Sequence, residues 1–165
     1  LVIVMKIKLV LTDIDGCMTD NSVIYTPNGE KLKKFNMNDG MGVKLLKKNG
    51  ILVGVISGDN SLASKHRMQD LGIDFIYIGV KNKKDILNKI SRDSGIAYEE
   101  IAYMGDDLQD IEVLKEIALP VAPSNAILEV KNIVKFVTVK EGGLGAFREY
   151  AEYVINYNKN IEGEE

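Results

Sequence analysis

The sequence has few of the residues from which disulfide-stapled or zinc-held folds are built. Its 165 residues include one cysteine, Cys17, one histidine, His66, and no tryptophan. An internal disulfide is therefore impossible, and a zinc site made of Cys and His ligands is excluded. A chain of this length buries roughly 68–70% of the surface that its unfolded form exposes, so it does not need such a staple.

The chain also lacks an excess of positive charge and a long apolar run. Its 21 Lys and Arg against 24 Asp and Glu give a formal net charge of −3, which argues against nucleic acid or an anionic membrane as a partner. The apolar start at 1–4 is interrupted by Lys6 and Lys8, unlike a membrane helix or a signal peptide. Met5 is a candidate native start. We therefore expect a cytoplasmic protein without a membrane partner.

Apolar β-branched runs alternate with helical spacing along most of the chain. The predicted strands are at 7–11, 51–56, 75–78, 101–104, 119–121 and 134–139, with helices between them and a last helix from Leu144 to about Tyr157. This alternation predicts an α/β fold with a doubly wound, mostly parallel, Rossmann-like sheet. Because no linker or repeat divides the sequence, we expect one domain over 1–165 with a frayed tail at about 158–165.

A turn signal stands between the first predicted strand and the first helix. Pro27-Asn28-Gly29 separates two short alternating segments, which predicts a small β-hairpin inserted at about 21–37. A two-stranded hairpin is marginally stable by itself, so we expect its apolar residues to pack against another surface.

Acidic residues follow two of the predicted strands, in Asp13-Ile14-Asp15-Gly16 and in Gly105-Asp106-Asp107. Open α/β sheets bind ligands at the C-terminal ends of their strands, so these carboxylates are expected to meet. Clustered carboxylates repel one another unless a cation neutralises them, and oxygen ligands select Mg²⁺ over zinc or copper. The pattern predicts a magnesium site. A helix N-cap explains one Asp after a strand, but it explains two acidic motifs poorly.

Two other strand ends carry groups that bind phosphate. Ser57-Gly58 offers a hydroxyl and free backbone amides at the start of a helix, which suits an anion. Lys83 stands at the start of the helix after the next strand. Taken alone, Ser-Gly is a common turn and Lys83 is one surface lysine among many. The order of the four segments along one sheet indicates a phosphate site.

These four segments, with Thr19 and Asp110, resemble the motifs of the haloacid dehalogenase-like phosphatases. The similarity covers residues 6–157 and is closest to the subgroup that hydrolyses 3-deoxy-D-manno-octulosonate 8-phosphate and the 9-phosphates of nine-carbon sialic-type acids. This similarity includes the hairpin and the segments 35–40, 79–83 and 142–149. The resemblance implies a Mg²⁺-dependent phosphomonoester hydrolase.

The resemblance also implies roles for the motif residues. Asp13 would attack phosphorus to form an aspartyl-phosphate, and Asp15 would serve as acid and base. Mg²⁺ would be held by the Asp13 carboxylate, the Asp15 backbone carbonyl and Asp106. Ser57 and Lys83 would bind the non-bridging oxygens. Asp107 and Asp110 would hold the metal ligands and the lysine in position without contacting the substrate.

For the sugar acid, the resemblance implies a larger set of candidates. The substrate-binding candidates are Asp15, Asn36, Asn38, Asp39, Gly40, Lys44, Gly58, Asp59, Arg67 and Lys83. Arg67 would face the carboxylate of the substrate. Members of the subgroup are tetramers in which hairpins of neighbouring subunits help to close each site, so the resemblance implies a homotetramer.

Asp59 departs from the pattern of the subgroup. The octulosonate branch usually has Arg at this place, and an acidic residue occurs there in branches that act on nine-carbon acids. The overall pattern favours octulosonate 8-phosphate as the substrate, and the 9-phosphate of a nine-carbon acid is the alternative.

Two alternatives belong to other classes of protein. A phosphoacceptor receiver domain also groups Asp, Ser or Thr, and Lys around Mg²⁺, but its acceptor Asp ends a later strand, and here no lone Asp ends the strand at 51–56. A non-catalytic copy that only supports oligomerisation is the other, and the intact motif residues argue against it.

Overall fold

The computed structural model describes residues 3–163 and contains two sheets. Its elements in chain order are β1 (Leu9–Thr12), β2 (Ile24–Tyr25), β3 (Lys31–Leu32), α1 (Met37–Lys48), β4 (Leu52–Ile56), α2 (Leu62–Asp70), β5 (Phe75–Tyr77), α3 (Lys83–Ser94), β6 (Ile101–Met104), α4 (Ile111–Leu114), β7 (Leu119–Ala122), α5 (Leu128–Lys131), β8 (Phe136–Val137) and α6 (Ala146–Gly163). None of the helices within 3–163 has the length and apolar character needed to cross a membrane.

The main sheet has six strands in the order β5-β4-β1-β6-β7-β8, and every pair in it is parallel. The alternation of strands and helices forces this arrangement, because a parallel neighbour is reached only through a crossover. The predicted α/β, Rossmann-like fold is therefore confirmed.

Helices cover both faces of the sheet, and β1 is buried along its whole length. Val10 packs in one core with Val43 of α1 and Phe147 of α6. Leu9 and Leu11 point to the opposite core, where Leu87 of α3 lies. A strand that is buried on both faces has to be apolar at successive positions, which explains the unbroken runs in the sequence.

The register of the central strands brings the site residues to one edge. Thr12, the last residue of β1, pairs with Val55 of β4 and with Met104 of β6. These three strands therefore end next to one another, at the same level of the sheet. The polar residues that follow them meet at the C-terminal edge of the sheet, where open α/β sheets bind their ligands.

The predicted hairpin is present as the antiparallel pair β2 and β3, in which Ile24 faces Leu32. It is small, and its apolar side chains remain exposed, with exposed fractions of 60% at Ile24, 61% at Tyr25 and 50% at Leu32. The hairpin therefore presents an apolar surface that the described chain does not cover.

The last helix is longer than its sequence pattern predicted. α6 continues to Gly163, so the predicted end of this helix at about Tyr157 is wrong, whereas the frayed tail stays a prediction. The reason is that Asn158 accepts the Ile7 N–H and donates to the Ile7 carbonyl, both at 2.8 Å. Residues 164 and 165 of the predicted tail, and residues 1 and 2 before the candidate start Met5, lie outside the described residues.

Candidate active site

Asp13 stands at the end of the central strand and is buried, with an exposed fraction of 1%. Its N–H donates to the Met104 carbonyl at 3.0 Å, and its Oδ1 accepts the Ile14 N–H at 2.6 Å. Its other oxygen, Oδ2, lies 2.7 Å from the Lys83 ammonium. Both the backbone and the side chain of Asp13 are therefore held in place.

The chain turns tightly after Asp13, around the Ile14 carbonyl, which accepts the N–H groups of Cys17, Met18 and Thr19. Gly16 in this turn has a φ of +82°, in the region that glycine adopts without strain. A Cβ at Gly16 would also overlap the Asp106 carboxylate. Glycine at this position therefore lets the turn and Asp106 approach each other.

Lys83 is the cationic centre of the site. Its Nζ lies 2.7 Å from Asp13 Oδ2 and 2.8 Å from Asp110 Oδ1, and it donates to the Tyr103 hydroxyl at 3.4 Å. Burial alone would lower the pKa of Lys83, but the negative charges of Asp13 and Asp110 outweigh burial and raise it. The lysine therefore stays charged between its two carboxylates.

Three carboxylates converge beside this lysine. Asp13, Asp106 and Asp110 each place an oxygen within 4.8 Å of the others. Burial, together with the charges of Asp13 and Asp110, raises the pKa of Asp106 to about 8. Burial also raises the pKa of Asp13 to about 6, although Lys83 opposes it. One lysine does not balance three carboxylates, and this all-oxygen donor set fits Mg²⁺.

The cluster differs in one member from the predicted metal ligands Asp13, Asp15 and Asp106. Asp110 takes part in it, and Asp110 Oδ2 also accepts the Asp106 N–H at 3.0 Å. Asp107 caps the turn that carries Asp110 and accepts the Leu108 N–H at 2.7 Å. The predicted ligand from Asp15 is its backbone carbonyl, and this ligand stays a prediction.

Ser57 and Gly58 lie beside Asp13's strand, at the end of β4. Ser57 is buried, and its Oγ accepts the Asp59 N–H at 3.2 Å. A cleft of about 280 Å³ opens between this loop and the start of α3. Its lining includes Gly58, Val80, Lys81, Asn82, Lys83, Lys84, Leu108, Gln109 and Glu112. A Cβ at Gly58 would come no closer than 3.6 Å to its nearest neighbour, so the backbone there is uncrowded.

Gln109 also reaches the site, although its sequence pattern does not predict this. Its Nε2 donates to Asp13 Oδ2 at 3.4 Å, and it lines the same cleft. A single Gln in a polar turn carries no periodicity or motif. Only the fold brings it to Asp13.

A second ionic cluster lies at the other side of the Asp13 turn, where Lys33 follows β3. The Lys33 side chain is buried, with an exposed fraction of 2%. Its Nζ lies 2.8 and 2.7 Å from the two Asp15 oxygens and 2.7 Å from Asp59 Oδ2. Burial alone would lower the pKa of Lys33, but the hydrogen bonds to Asp15 and Asp59 raise it. The sequence does not single out Lys33, because three lysines stand close together at 31–34.

Asp59 is engaged by donors of the protein itself. Its Oδ2 accepts from the Ser61 N–H at 3.1 Å, the Ser61 hydroxyl at 2.6 Å and the Ser64 hydroxyl at 3.1 Å, in addition to Lys33. Burial alone would raise the pKa of Asp59, but Lys33 and Ser61 hold it well below its usual range. The predicted substrate-binding carboxylate thus already has four donors on one oxygen.

The other predicted sugar-binding residues form a separate group at the N-terminus of α1. Asn36 caps this helix by accepting the Asn38 N–H at 2.8 Å. The Asn36 carbonyl accepts from Arg67 Nη2 at 3.4 Å. A Cβ at Gly40 would lie 3.0 Å from Arg67 Nη2, so glycine lets this arginine pack closely on α1.

Asp39 and Arg67 keep polar atoms without a partner. Asp39 Oδ1 accepts the Arg148 N–H at 3.0 Å, but Asp39 Oδ2 and Arg67 Nε are buried and have no hydrogen-bond partner within residues 3–163. Burial raises the pKa of Asp39 to about 6. Lys44 is exposed on the same helix. That this group binds the sugar acid stays a prediction.

Comparisons with known proteins agree on one family. The sequence profile of the haloacid dehalogenase-like hydrolases matches residues 76–145. The 3-deoxy-D-manno-octulosonate 8-phosphate phosphatase of Haemophilus influenzae is 37% identical over 150 residues, which are 91% of this chain and 83% of that protein. The protein of the same name from Escherichia coli K12 is 35% identical over 154 residues, covering 91% and 80%.

A solved structure extends this similarity to the fold. The Moraxella catarrhalis 3-deoxy-D-manno-octulosonate 8-phosphate phosphatase, in complex with a magnesium ion, a phosphate ion and a KDO molecule, superimposes with a TM-score of 0.90. Its sequence identity is 32%, and the superposition covers 95% of this chain and 90% of that one.

Proposed function

Because this chain belongs to the haloacid dehalogenase-like hydrolases and is a Mg²⁺-dependent phosphatase of that family, we propose that its substrate is 3-deoxy-D-manno-octulosonate 8-phosphate. The observation that carries the phosphatase chemistry of the proposal is the buried Asp13–Lys83 pair, 2.7 Å apart, beside Asp106 and Asp110. It combines a carboxylate nucleophile, a cation for phosphoryl oxygens and a metal-binding set in one place. The relatives named above indicate the sugar acid.

In the first half of the reaction, Asp13 attacks the phosphorus. A bond forms between its carboxylate oxygen and phosphorus, and the bond from phosphorus to the sugar oxygen breaks. Asp15 gives its proton to that leaving oxygen. Lys83 and Ser57 bind the non-bridging oxygens, over which negative charge is spread in the transition state.

In the second half, water attacks the aspartyl-phosphate. Asp15 takes a proton from the water, the bond between Asp13 and phosphorus breaks, and inorganic phosphate leaves. Bound Mg²⁺, held by Asp13, Asp106 and the Asp15 carbonyl, supplies positive charge that offsets the repulsion between two anions. Asp110 and Asp107 keep Lys83 and the metal-binding turn in place.

The nine-carbon 9-phosphates are the less supported substrates. Their case depends on Asp59 as a residue that contacts the sugar acid. Asp59 Oδ2 is occupied by Lys33 and by donors from Ser61 and Ser64. Because Oδ2 is engaged in this way and Oδ1 lies 3.7 Å from the Lys31 ammonium, Asp59 gives less reason to prefer the larger acid.

Assembly and compartment are part of the same proposal. We infer a homotetramer, supported by the exposed apolar residues Ile24, Tyr25 and Leu32 of the hairpin. We also infer a cytoplasmic enzyme, since the one cysteine is free and buried.

Release of phosphate from a panel of 8- and 9-phosphorylated 2-keto sugar acids tests the proposal. The eight-carbon substrate should be hydrolysed with the highest kcat/KM, EDTA should abolish the activity, and Mg²⁺ should restore it. Asp13→Asn should lower kcat by more than about 10³-fold, because nucleophile and metal ligand are lost together. Asp93→Asn, an exposed carboxylate on α3, is the matched control. Preference for a nine-carbon acid, or turnover by Asp13→Asn, would contradict the proposal.

A further inference from the structure

The hairpin delivers one buried cation to the active-site loop. Lys33 follows β3, and its ammonium lies between the carboxylates of Asp15 and Asp59. Asp15 belongs to the turn after β1, and Asp59 to the loop before α2. Lys33 is thus the point at which three separate segments of the chain are tied together.

We infer that Lys33 is a positioning residue for Asp15, and that Asp59 anchors Lys33 instead of contacting the sugar acid. The inference rests on the proposed function, in which Asp15 is the acid and base. It assigns to the hairpin a part in the chemistry within one subunit, apart from any part in assembly.

The contacts of Asp15 support this role. Its side chain has an exposed fraction of 31%, so solvent alone would leave it free to change rotamer. Lys33 contacts both of its oxygens, and the Thr19 hydroxyl donates to Oδ1 at 3.2 Å. A proton-transfer group has to be held in the reactive geometry, since small displacements are costly in rate.

The contacts of Asp59 explain why Lys33 stays in place. Asp59 is itself held by Ser61, the N-cap of α2, and by Ser64 one turn into that helix. A helix start is a rigid support, whereas a two-stranded hairpin is not. The Asp59 carboxylate therefore fixes Lys33, and Lys33 in turn fixes Asp15. An arginine at position 59 would repel Lys33 instead of binding it.

Two substrates whose leaving groups differ in basicity distinguish a positioning role of Lys33 from a purely structural one. A sugar oxygen needs a proton from Asp15 when it leaves, whereas p-nitrophenolate leaves without one. Lys33→Met should lower kcat for octulosonate 8-phosphate by about 10- to 100-fold, a share of the roughly 10²- to 10⁴-fold that general acid–base catalysis contributes. KM should change by less than about 3-fold. Single-turnover release of p-nitrophenolate, with enzyme in excess, should stay within about 3-fold of wild type.

Three further variants complete the experiment. Lys34→Met removes the neighbouring lysine of the hairpin, whose side chain is 70% exposed, and should behave as wild type. Lys33→Arg keeps the charge and should recover part of kcat. Asp59→Asn removes the charge that holds Lys33 and should show the same selective loss, in smaller degree. Circular dichroism identifies the folded variants. If Lys33→Met does not fold, the result with Asp59→Asn decides whether the inference holds.

The outcome distinguishes this inference from the proposed function. If wild type hydrolyses the sugar acid phosphate but the folded variants lose both activities equally, or lose neither, the role of Lys33 is overturned and the proposed function stands. If wild type hydrolyses no sugar acid phosphate, the proposed function fails first, and the positioning role fails with it.

Discussion

The carboxylates of the site repel one another, and a bound cation would reduce this repulsion. Asp106 is buried next to the carboxylates of Asp13 and Asp110, and its pKa rises to about 8 because burial and both neighbours disfavour its charge. In the unfolded chain the same carboxyl group titrates near 3.8. Without a metal, the folded protein therefore holds a proton that the unfolded chain has lost.

This difference predicts how stability depends on pH when the metal is chelated. The stabilisation is complete below the unfolded pKa and is lost as the pH rises through the folded pKa, so the free energy of unfolding should fall between about pH 4 and pH 8. Asp106→Asn should reduce the difference between pH 5 and pH 8 by about 1.4 kcal/mol or more, the equivalent of one pKa unit. Urea unfolding in EDTA measures it.

Asp107→Asn is the matched control for this experiment, because Asp107 caps a turn and Asn is an equally good cap. Its pH dependence should differ from that of wild type much less than that of Asp106→Asn does, because the charge of Asp107 contributes less to the raised pKa of Asp106 than burial, Asp13 and Asp110 do. Saturating Mg²⁺ should stabilise wild type more at the higher pH, since binding displaces the proton. Identical pH profiles for all three proteins would show that Asp106 does not carry this proton.

Motif residues of the site could be predicted from the sequence, whereas residues that act through contacts could not. Asp13, Lys83 and Asp106 follow strands or begin helices, and parallel strands bring such positions together. Lys33 and Gln109 reach the site from a hairpin and from a turn. Nothing in their local sequence indicates the distance to Asp15 or Asp13, because that distance is set by packing.

The loop before α6 supports the turn after β1. Asn125 joins them, since it donates to the Gly16 carbonyl at 2.9 Å and accepts the Gly142 N–H at 2.7 Å. A Cβ at Gly142 would overlap the Gly16 carbonyl. The loop at Gly142 thus sets the position of the turn that carries Asp15.

Gly142→Ala should therefore damage both stability and catalysis. Overpacking against backbone should lower the free energy of unfolding by about 1–3 kcal/mol, and the displaced turn should lower kcat. Gly50→Ala is the control, because Gly50 has a φ of +71° and a Cβ added there would meet no atom within 4 Å. It should cost about 1–2 kcal/mol through backbone strain and leave kcat unchanged. Urea unfolding and steady-state kinetics test both variants, and a normal kcat in Gly142→Ala would contradict the role of this loop.

The end of α6 shows why element boundaries were predicted less well than elements. The polar Lys, Asn and Glu residues after Tyr157 predict a frayed tail, but Asn158 bonds both backbone groups of Ile7. A contact across 151 residues of sequence has no local signature. The bonds also satisfy backbone groups just before β1, which extends the helix past its apolar pattern.

Asn158→Ala tests this explanation. Removal of two hydrogen bonds to partly buried backbone groups should lower the free energy of unfolding by about 1–3 kcal/mol. Asn156→Ala, at an exposed position two residues earlier, should change it by less than about 0.5 kcal/mol. Equal effects in urea unfolding would mean that the Ile7 contact does not hold the end of α6.

The hairpin carries both exposed apolar residues and one member of an ionic cluster, Lys33. The carboxylates and lysines of both ionic clusters meet at the C-terminal edge of one sheet. The exposed apolar residues of the hairpin lie next to them in sequence, since Leu32 precedes Lys33 directly. Asp59 of the same subunit fixes Lys33, and a partner that covers Ile24, Tyr25 and Leu32 would add to this support, so dissociation should weaken catalysis without abolishing it.

The proposed homotetramer makes this dependence measurable. Wild type should sediment at about four times the chain mass of 18.3 kDa, and the double variant Ile24→Thr, Tyr25→Thr should dissociate, because Thr keeps the strand preference while removing apolar surface. Its kcat for octulosonate 8-phosphate should fall with dissociation, and by more than its single-turnover release of p-nitrophenolate, because Lys33 loses the support that the partner adds and only the sugar oxygen needs the Asp15 proton to leave. Val139→Thr, at a position 86% exposed outside the hairpin, should leave mass and rate unchanged. A fully active monomeric wild type would contradict the assembly, whereas a dissociated variant with normal kcat would separate the hairpin's part in assembly from its part in the active site.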